Sequence, residues 1–304
     1  MESVASLSEL TSLNLPAPVP YAVLTPGVPG PLPLCLMLMG GGGSRQNLVD
    51  CQPLFDRWWT DGALPPMVIA TPSPGMGYYI EDRAENVRWE SFLAEELVPH
   101  LQSAHNVAGA RASTAITGIS MGGYGALKTA FSHPGVFGVV AAMQPMLEPG
   151  LRDCDIGARN RIHHTSGGPA RLIGSGRDPA LFEANQPACI AKANAAAIRE
   201  HNLAIYIEAG DHDFVNAHDG AEFLHRVLWD LDLSHEYRLT RGADHGGPTM
   251  HPRMKAMFEW TGAALKDPTA PDDEFLRTIR AQLKPLRDQA AQTDETTHRR
   301  FGVL

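Results

Sequence analysis

Short apolar runs alternate with longer segments of helical periodicity through most of this 304-residue chain. The apolar runs predict strands at 21–24, 34–39, 67–70, 114–117, 136–142, 203–208 and 236–239. Amphipathic spacing predicts helices between them, at 86–104, 217–231 and 252–265. Several strand runs are apolar at every position, which is typical of parallel strands buried on both faces. The predicted fold class is therefore α/β, with a mostly parallel, doubly wound sheet and helices on both faces.

The segment from Gly118 to Gly123 reads Gly-Ile-Ser-Met-Gly-Gly and lies between a β-like run and a helical run. A G-x-S-x-G motif between a strand and a helix is typical of a nucleophile elbow, a sharp turn that exposes its serine. The small residues Gly118 and Gly122 leave room for that turn, and the following helix directs its N-terminal amides at the same place. The alternative is a glycine-rich turn before a buried helix. We expect Ser120 to be the nucleophile of a hydrolase or acyltransferase.

A serine hydroxyl needs a base to accept its proton, and the base needs a carboxylate to fix its tautomer. In hydrolases with this elbow, the acid and then the histidine follow the serine along the chain. Asp213 is the first candidate for the acid and Asp211 the second, since both follow the strand at 203–208. The alternative for either is a helix N-cap. His245 is the candidate base because it lies in a glycine-flanked loop after the last predicted strand.

An ester hydrolase also needs two backbone N–H groups to stabilise the negative charge that develops on the substrate oxygen. The first predicted donor is the amide of Met121, which follows the nucleophile. The second is Gly41, with Gly40 or Gly42 as alternatives, in the glycine run after the strand at 34–39. This run does not match a P-loop or a dinucleotide-binding motif, because the required lysine and third glycine are missing.

A metal site is the remaining chemical alternative, since four potential ligands are close in sequence. We expect neither a metal nor another cofactor, because these four residues lack the spacing of known ligand motifs. They are Asp211, His212, Asp213 and His218.

The elements divide the chain into three parts. We predict a polar, proline-bearing lead-in at 1–19, a folded domain at 20–265 and a C-terminal extension at 266–304, with a helix at 272–288. Residues 147–178 are rich in glycine, arginine and polar residues and are expected to form a loop excursion over the active site.

Composition narrows the partners and the compartment. The chain has 25 Lys and Arg against 34 Asp and Glu, a net charge of −9, which argues against nucleic acid or an anionic membrane as a main partner. The first residues do not resemble a secretory signal, and the longest apolar run is too short to span a bilayer. Four scattered cysteines suggest reduced thiols, and we expect a cytoplasmic protein.

Together these motifs resemble the esterase D-like branch of the α/β-hydrolases, which includes S-formylglutathione hydrolases, feruloyl and acetylxylan esterases, enterochelin esterases and mycolyltransferases. The resemblance runs from about residue 21 to about residue 265. Besides the elbow, it is carried by residues 38–44 (Leu-Met-Gly-Gly-Gly-Gly-Ser), 90–100, Gly210-x-x-Asp213-Phe214 and His245-Gly246-Gly247. It implies the α/β-hydrolase fold and the same roles as those given above. One departure is Met39, where the family has a histidine, and the resemblance implies that this histidine supports the loop.

We predict a serine esterase that acts on small to medium acyl esters through an acyl-enzyme. The alternatives are an acyltransferase or thioesterase with the same triad and, from another class, a non-catalytic binding protein on a hydrolase scaffold. The sequence does not determine the oligomeric state, and a homo-oligomer is one of the possibilities. Candidate pocket residues are aromatic or methionine side chains from loops near the site: Trp58, Tyr78, Tyr79, Met143 and Met146, with Trp59 and Pro145 as further possibilities.

Overall fold

The computed structural model describes residues 2–164 and 178–266, together with 278–279, 281–286 and 289. Contacts divide the chain into two compact units, Met1–Pro268 and Thr269–Leu304. In the second unit the described residues are helical, and all of them except residue 289 fall within the helix predicted at 272–288. The rest of that extension, and residues 165–177 of the predicted loop excursion, lie outside the described residues.

Ten strands are described in the first unit. In chain order they are β1 (Ser3–Leu10), β2 (Val19–Pro26), β3 (Leu34–Leu38), β4 (Val68–Pro72), β5 (Glu81–Asp82), β6 (Val87–Arg88), β7 (Thr114–Ile119), β8 (Val139–Met143), β9 (Ala204–Gly210) and β10 (Glu236–Thr240). Eight of them form one sheet in the order β1-β2-β4-β3-β7-β8-β9-β10, while β5 and β6 pair separately. The pairs β1–β2 and β2–β4 are antiparallel and the other pairs of the large sheet are parallel. The predicted mostly parallel sheet is therefore confirmed.

Eight α-helices connect or flank these strands. They are α1 (Gln46–Thr60), α2 (Trp89–Ser91), α3 (Val98–Ala104), α4 (Met121–Ser132), α5 (Pro179–Asn185), α6 (Pro187–Glu200), α7 (Ala217–Asp230) and α8 (Met250–Lys266). A π-helical segment, Phe92–Leu97, joins α2 to α3. Short 3₁₀ turns lie at Arg111–Ser113, Asp153–Asp155 and Ala158–His164. No helix among the described residues has the length and apolarity needed to cross a membrane.

Both faces of the sheet are buried under helices, as strand β3 illustrates. Leu34, Leu36 and Leu38 belong to one hydrophobic cluster, which includes side chains of α3, α4, α6 and α7. The alternate residues Cys35 and Met37 belong to a second cluster, with side chains of α1 and α8. Successive side chains of a strand point to opposite faces, so an apolar run without alternation is what a doubly covered strand requires.

The N-terminal segment differs from the lead-in that the sequence predicts. Residues 3–10, expected to be part of a lead-in, form strand β1, which pairs with β2 along its whole length. Most side chains of β1 are exposed or half-buried, because the strand lies at the edge of the sheet. An edge strand of this kind buries few apolar side chains, and its hydrophobic signal is correspondingly weak.

Candidate active site

The turn between β7 and α4 holds Ser120 in a strained conformation, with φ of 58° and ψ of −121°. A Cβ atom on Gly118 would lie 2.1 Å from the carbonyl oxygen of Gly122, and one on Gly122 would lie 2.0 Å from that of Leu38. Only a hydrogen fits at either position. The amide of Ser120 donates to the carbonyl of Met143 in β8 at 3.0 Å, which fixes the turn to the neighbouring strand. The sequence motif therefore forms the sharp turn that the spacing predicts.

Three side chains from separate loops form a continuous chain of hydrogen bonds. Ser120 Oγ lies 2.9 Å from Nε2 of His245, and Nδ1 of the same ring lies 2.7 Å from Oδ2 of Asp213. The other carboxylate oxygen of Asp213 accepts from the amides of Val215 at 3.0 Å and Ala217 at 3.3 Å. This arrangement requires the His245 ring to donate at Nδ1 and leaves Nε2 free to accept a proton from Ser120.

The surroundings of Asp213 favour its ionised form. Burial by itself raises the pKa of this carboxyl, but the hydrogen bond and charge of His245, with the amides of Ala217 and Val215, bring it below the ordinary value of 3.8. Asp211, the second candidate, faces elsewhere: its Oδ1 accepts from the amide of Gly242 at 2.6 Å. Of the two acidic candidates from the sequence, Asp213 is therefore the one that hydrogen-bonds to His245.

The glycine run after β3 lies beside Ser120. A Cβ atom on Gly40 would come within 3.3 Å of the Ser120 Cβ atom. The amide of Gly42, one alternative donor, is engaged by the carbonyl of Gly75 at 3.0 Å. In the part of the chain that the structure describes, the amides of Gly41 and Met121 have no hydrogen-bond partner. Both are therefore able to donate to a bound oxygen.

Tyr79 supports this loop from beneath. Its hydroxyl donates to the carbonyl of Met39 at 3.2 Å, and burial raises the pKa of the phenol far above its usual range. Its ring packs against Gly125 of α4, where a Cβ atom would come within 2.5 Å of the ring. Tyr79, expected in the pocket, is instead a buried support for the segment that contains Met39.

The other candidate pocket residues fall into two groups. Trp58, in α1, and Met143 belong to the hydrophobic cluster that α1 and α8 share, where the Trp58 ring packs edge-on to Phe55. This corrects the expectation of a pocket role, because Trp58 is only 6% exposed and Met143 is fully buried. Tyr78 is also buried, in the opposite cluster, whereas Met146 is half-buried and its amide donates to the Ser120 carbonyl at 3.1 Å.

Two exposed apolar side chains that the sequence analysis did not assign to the pocket flank the site. Phe214 is 68% exposed, and its ring centroid lies 5.7 Å from that of His245. Met76 is 56% exposed and its sulfur would contact a Cβ atom on Gly41 at 3.4 Å. The signal for Phe214 was its position directly after Asp213, whereas Met76 has no sequence signal beyond its place in a proline- and glycine-rich loop.

The residues considered for a metal site are dispersed among other roles. His218 interacts with Arg159 and Asp219 at the start of α7, while Asp213 faces His245. Across the described ranges there is no group of three or more His, Cys, Asp or Glu side chains that could hold a metal ion.

The sheet order and the serine turn at its centre define an α/β-hydrolase, and the comparisons agree. A family model described as "Putative esterase" matches residues 55–255, more than half of the chain. The chain therefore belongs to this esterase family and is a carboxylic ester hydrolase. A search of curated proteins returned no match.

Solved structures extend the similarity over most of the fold. A ferulic acid esterase is 19% identical, with a TM-score of 0.70, and the match covers 87% of this chain and 99% of that chain. S-formylglutathione hydrolase from Agrobacterium tumefaciens is 17% identical, with a TM-score of 0.67 and coverage of 86% and 96%. A ferulic acid esterase from Anaeromyces mucronatus, in complex with ferulic acid, is 18% identical, with a TM-score of 0.61 and coverage of 87% and 93%. These neighbours support the predicted branch of the family.

Proposed function

We propose that this esterase is a serine carboxylesterase in which Ser120, His245 and Asp213 form the catalytic triad. The observation that carries the proposal is the unbroken hydrogen-bond chain from Ser120 Oγ through the His245 ring to the buried Asp213 carboxylate. A serine in an ordinary turn needs neither a histidine acceptor nor a carboxylate behind it. The strained backbone at Ser120 also agrees with a functional position.

The reaction proceeds by two acyl transfers. Ser120 Oγ attacks the ester carbonyl carbon while His245 Nε2 accepts its proton, and the carbonyl oxygen becomes negatively charged. The amides of Met121 and Gly41 donate to that oxygen. The imidazolium then protonates the departing alcohol oxygen, which leaves an acyl-serine. Water attacks this ester in the same way, with His245 taking its proton, and the acid and free Ser120 are released.

Electrostatics supports these roles. The lowered pKa of Asp213 keeps its carboxylate negative while His245 carries a positive charge, so the imidazolium is stabilised when it forms. Met121 is the first residue of α4, and the positive end of the helix dipole lies at the position where the oxyanion develops. Neither contribution requires a metal or an organic cofactor.

The substrate class that we propose is an ester with a small to medium acyl group and an apolar portion. Phe214 and Met76 offer exposed apolar surface beside His245 and Gly41, and one structural neighbour is described as a complex with ferulic acid. A flat aromatic group can pack against a phenylalanine ring edge-on or offset. Aromatic acyl esters therefore belong in the first substrate panel, beside acetate and butyrate.

The test compares hydrolysis of p-nitrophenyl acetate and butyrate by wild type and by Ser120→Ala. We expect kcat/KM to fall by at least about 10³-fold in Ser120→Ala, because the remaining activity comes only from binding and the oxyanion donors. Ser132→Ala, at the other end of α4, is the matched control and should behave as wild type. Turnover that persists in folded Ser120→Ala would refute a serine acyl-enzyme. Adding methanol or glycerol as acceptor measures acyl transfer against hydrolysis.

A further inference from the structure

The loop that carries His245 has little regular structure of its own. It spans residues 241–249 between β10 and α8 and contains three glycines, two of them with positive φ: Gly242 at 71° and Gly247 at 83°. Glycine gives a loop many accessible conformations, which would scatter the position of a side chain within it. A general base has to be held within a fraction of an ångström of its partner. Groups outside the loop must supply that restraint.

Two buried side chains bind the backbone of this loop next to the histidine. Arg253 Nη1 donates to the carbonyl of Asp244 at 2.7 Å, and Gln144 Nε2 donates to the carbonyl of His245 at 2.5 Å. Arg253 is 6% exposed and Gln144 is 1% exposed. These two carbonyls belong to the peptide groups immediately before and after His245 Cα. The backbone on both sides of the imidazole is therefore held by side chains from other elements.

Glu208 fixes the orientation of the arginine. Its two carboxylate oxygens accept from Arg253 Nε at 2.8 Å and Nη2 at 2.9 Å, and Thr240 Oγ1 donates to the first of them at 2.5 Å. This paired geometry uses one edge of the guanidinium and directs Nη1 toward the loop. Glu208 also accepts, through its carbonyl, the amide of Gln144 at 2.5 Å.

Glu208, the acidic member of the ion pair, lies in the strand that leads to Asp213, whereas Arg253 lies in α8. Glu208 lies in β9 two residues before its end, and the turn that follows carries Asp213. Asp244 Oδ1 further connects the two loops, because it accepts from the amides of Phe214 at 2.8 Å and His245 at 2.7 Å. A buried ion pair contributes little net stability compared with apolar packing, so its value here lies in the geometry that it enforces.

We infer that Gln144, Glu208 and Arg253 form a histidine clamp, a set of positioning residues that holds His245 between Ser120 and Asp213. The inference rests on the proposed role of His245 as the base. The clamp residues bond to the backbone of the loop and to one another, and the hydrogen bonds described for them do not include the side chains of Ser120, His245 or Asp213. Their loss therefore lowers the rate of proton transfer and leaves substrate binding largely intact.

Two single variants separate positioning from stability. Gln144→Met removes one hydrogen-bond donor to the loop, keeps a side chain of similar length and leaves the Glu208–Arg253 pair in place. The new side chain would lie beside Met250, whose sulfur is 3.4 Å from Gln144 Nε2 in the wild type. Arg253→Lys keeps a positive charge beside Glu208 but cannot reproduce three donors in one rigid fork. Lysine would satisfy a purely charge-balancing role and would not satisfy a positioning role.

The matched control is another buried ion pair, between Lys128 of α4 and Glu90, which does not touch the His245 loop. The double variant Lys128→Met with Glu90→Gln removes that pair without leaving a buried charge. Each variant is assayed for kcat and KM with p-nitrophenyl acetate and for thermal unfolding. Proton NMR of the His245 Nδ1–Asp213 hydrogen bond gives a direct signature of ring alignment.

We expect Gln144→Met and Arg253→Lys to lower kcat by about 10- to 100-fold while KM changes by less than about threefold. The His245 Nδ1 proton resonance should shift or broaden in both, whereas the control should keep kcat and this resonance even where its stability falls. Wild-type kcat in folded Gln144→Met would overturn the clamp, and so would equal loss of kcat in the control. Should Arg253→Lys fail to fold, Gln144→Met decides the question alone.

His245→Ala in the same series separates this inference from the proposed function. If His245→Ala retains full turnover, the proposed triad is wrong and the clamp falls with it. If His245→Ala is inactive while both clamp variants keep wild-type kcat, only the clamp is refuted.

Discussion

Replacing Asp213 by asparagine tests which of two acidic residues serves His245. In the structure, Oδ2 of Asp213 lies 2.7 Å from Nδ1 of His245. Oδ1 of Asp211 instead accepts a hydrogen bond from the amide of Gly242. Asparagine has nearly the same shape as aspartate, so the substitution changes charge and hydrogen-bond direction more than packing.

The surrounding amides determine which way the new side chain would face. The Oδ1 position accepts from Val215 and Ala217, two N–H donors that an amide oxygen satisfies and an NH₂ group does not. The asparagine oxygen is therefore expected to stay there, with its NH₂ group toward His245 Nδ1. The ring must then accept at Nδ1 and carry its proton on Nε2, the atom that faces Ser120. In that tautomer the base cannot accept the serine proton.

The loss of both the tautomer and the negative charge sets the size of the effect. We expect kcat to fall by about 10³- to 10⁴-fold, which corresponds to about 4–5.5 kcal/mol of transition-state stabilisation at about 1.4 kcal/mol for each factor of ten. KM is expected to stay within about threefold of wild type, because Asp213 is buried behind the imidazole and does not contact the substrate.

The assay is steady-state hydrolysis of p-nitrophenyl acetate at neutral pH, with thermal unfolding measured on the same samples. Asp211→Asn is the matched control: the same substitution two residues away, expected to keep kcat within about threefold. If Asp211→Asn lost more activity than Asp213→Asn, the acid would be Asp211. If neither lost activity, the carboxylate–histidine pair would have no catalytic role.

Three further predictions concern stability. Gly122→Ala should destabilise the fold by at least about 2 kcal/mol in urea unfolding, since its Cβ would lie 2.0 Å from the Leu38 carbonyl oxygen; an unchanged midpoint would contradict this. Lys128→Met should cost about 3–5 kcal/mol in the same assay because Glu90 is left buried without its partner, and adding Glu90→Gln should recover part of the loss. The lowered pKa of Asp213 contributes stability that is complete above its ordinary value of 3.8 and is lost as the pH falls through the folded pKa. The difference in Tm between wild type and Asp213→Asn should therefore shrink below about pH 4, and parallel profiles would refute the sign.

The sequence by itself determined the fold class and the local structure of the elbow. Apolar runs such as 34–38 can be buried only if both faces of the sheet are covered, and this property is local to each strand. The tightness of the turn at Ser120 is local at Gly118, whose Cβ would meet the carbonyl of Gly122, whereas Gly122 leaves space for Leu38 of strand β3. His245 could be selected as the candidate base because its loop position follows from the order of the strands.

Only the tertiary structure decided between residues that are equivalent in sequence. Asp211 and Asp213 both follow β9. Which of the two carboxylates hydrogen-bonds to His245 depends on the position of the His245 loop, which follows the neighbouring strand β10. Trp58 was a reasonable pocket candidate from its residue type, but in the folded chain it is enclosed between α1 and Phe258 of α8.

The histidine clamp likewise consists of residues that are distant from one another along the chain. Gln144, Glu208 and Arg253 come from β8's end, β9 and α8, and no spacing along the chain connects them. Periodicity and motifs report interactions between residues a few positions apart, because they reflect the geometry of a single helix, strand or turn. Contacts between separate elements depend on how the whole sheet and its helices pack, so their partners became visible only once the chain was folded.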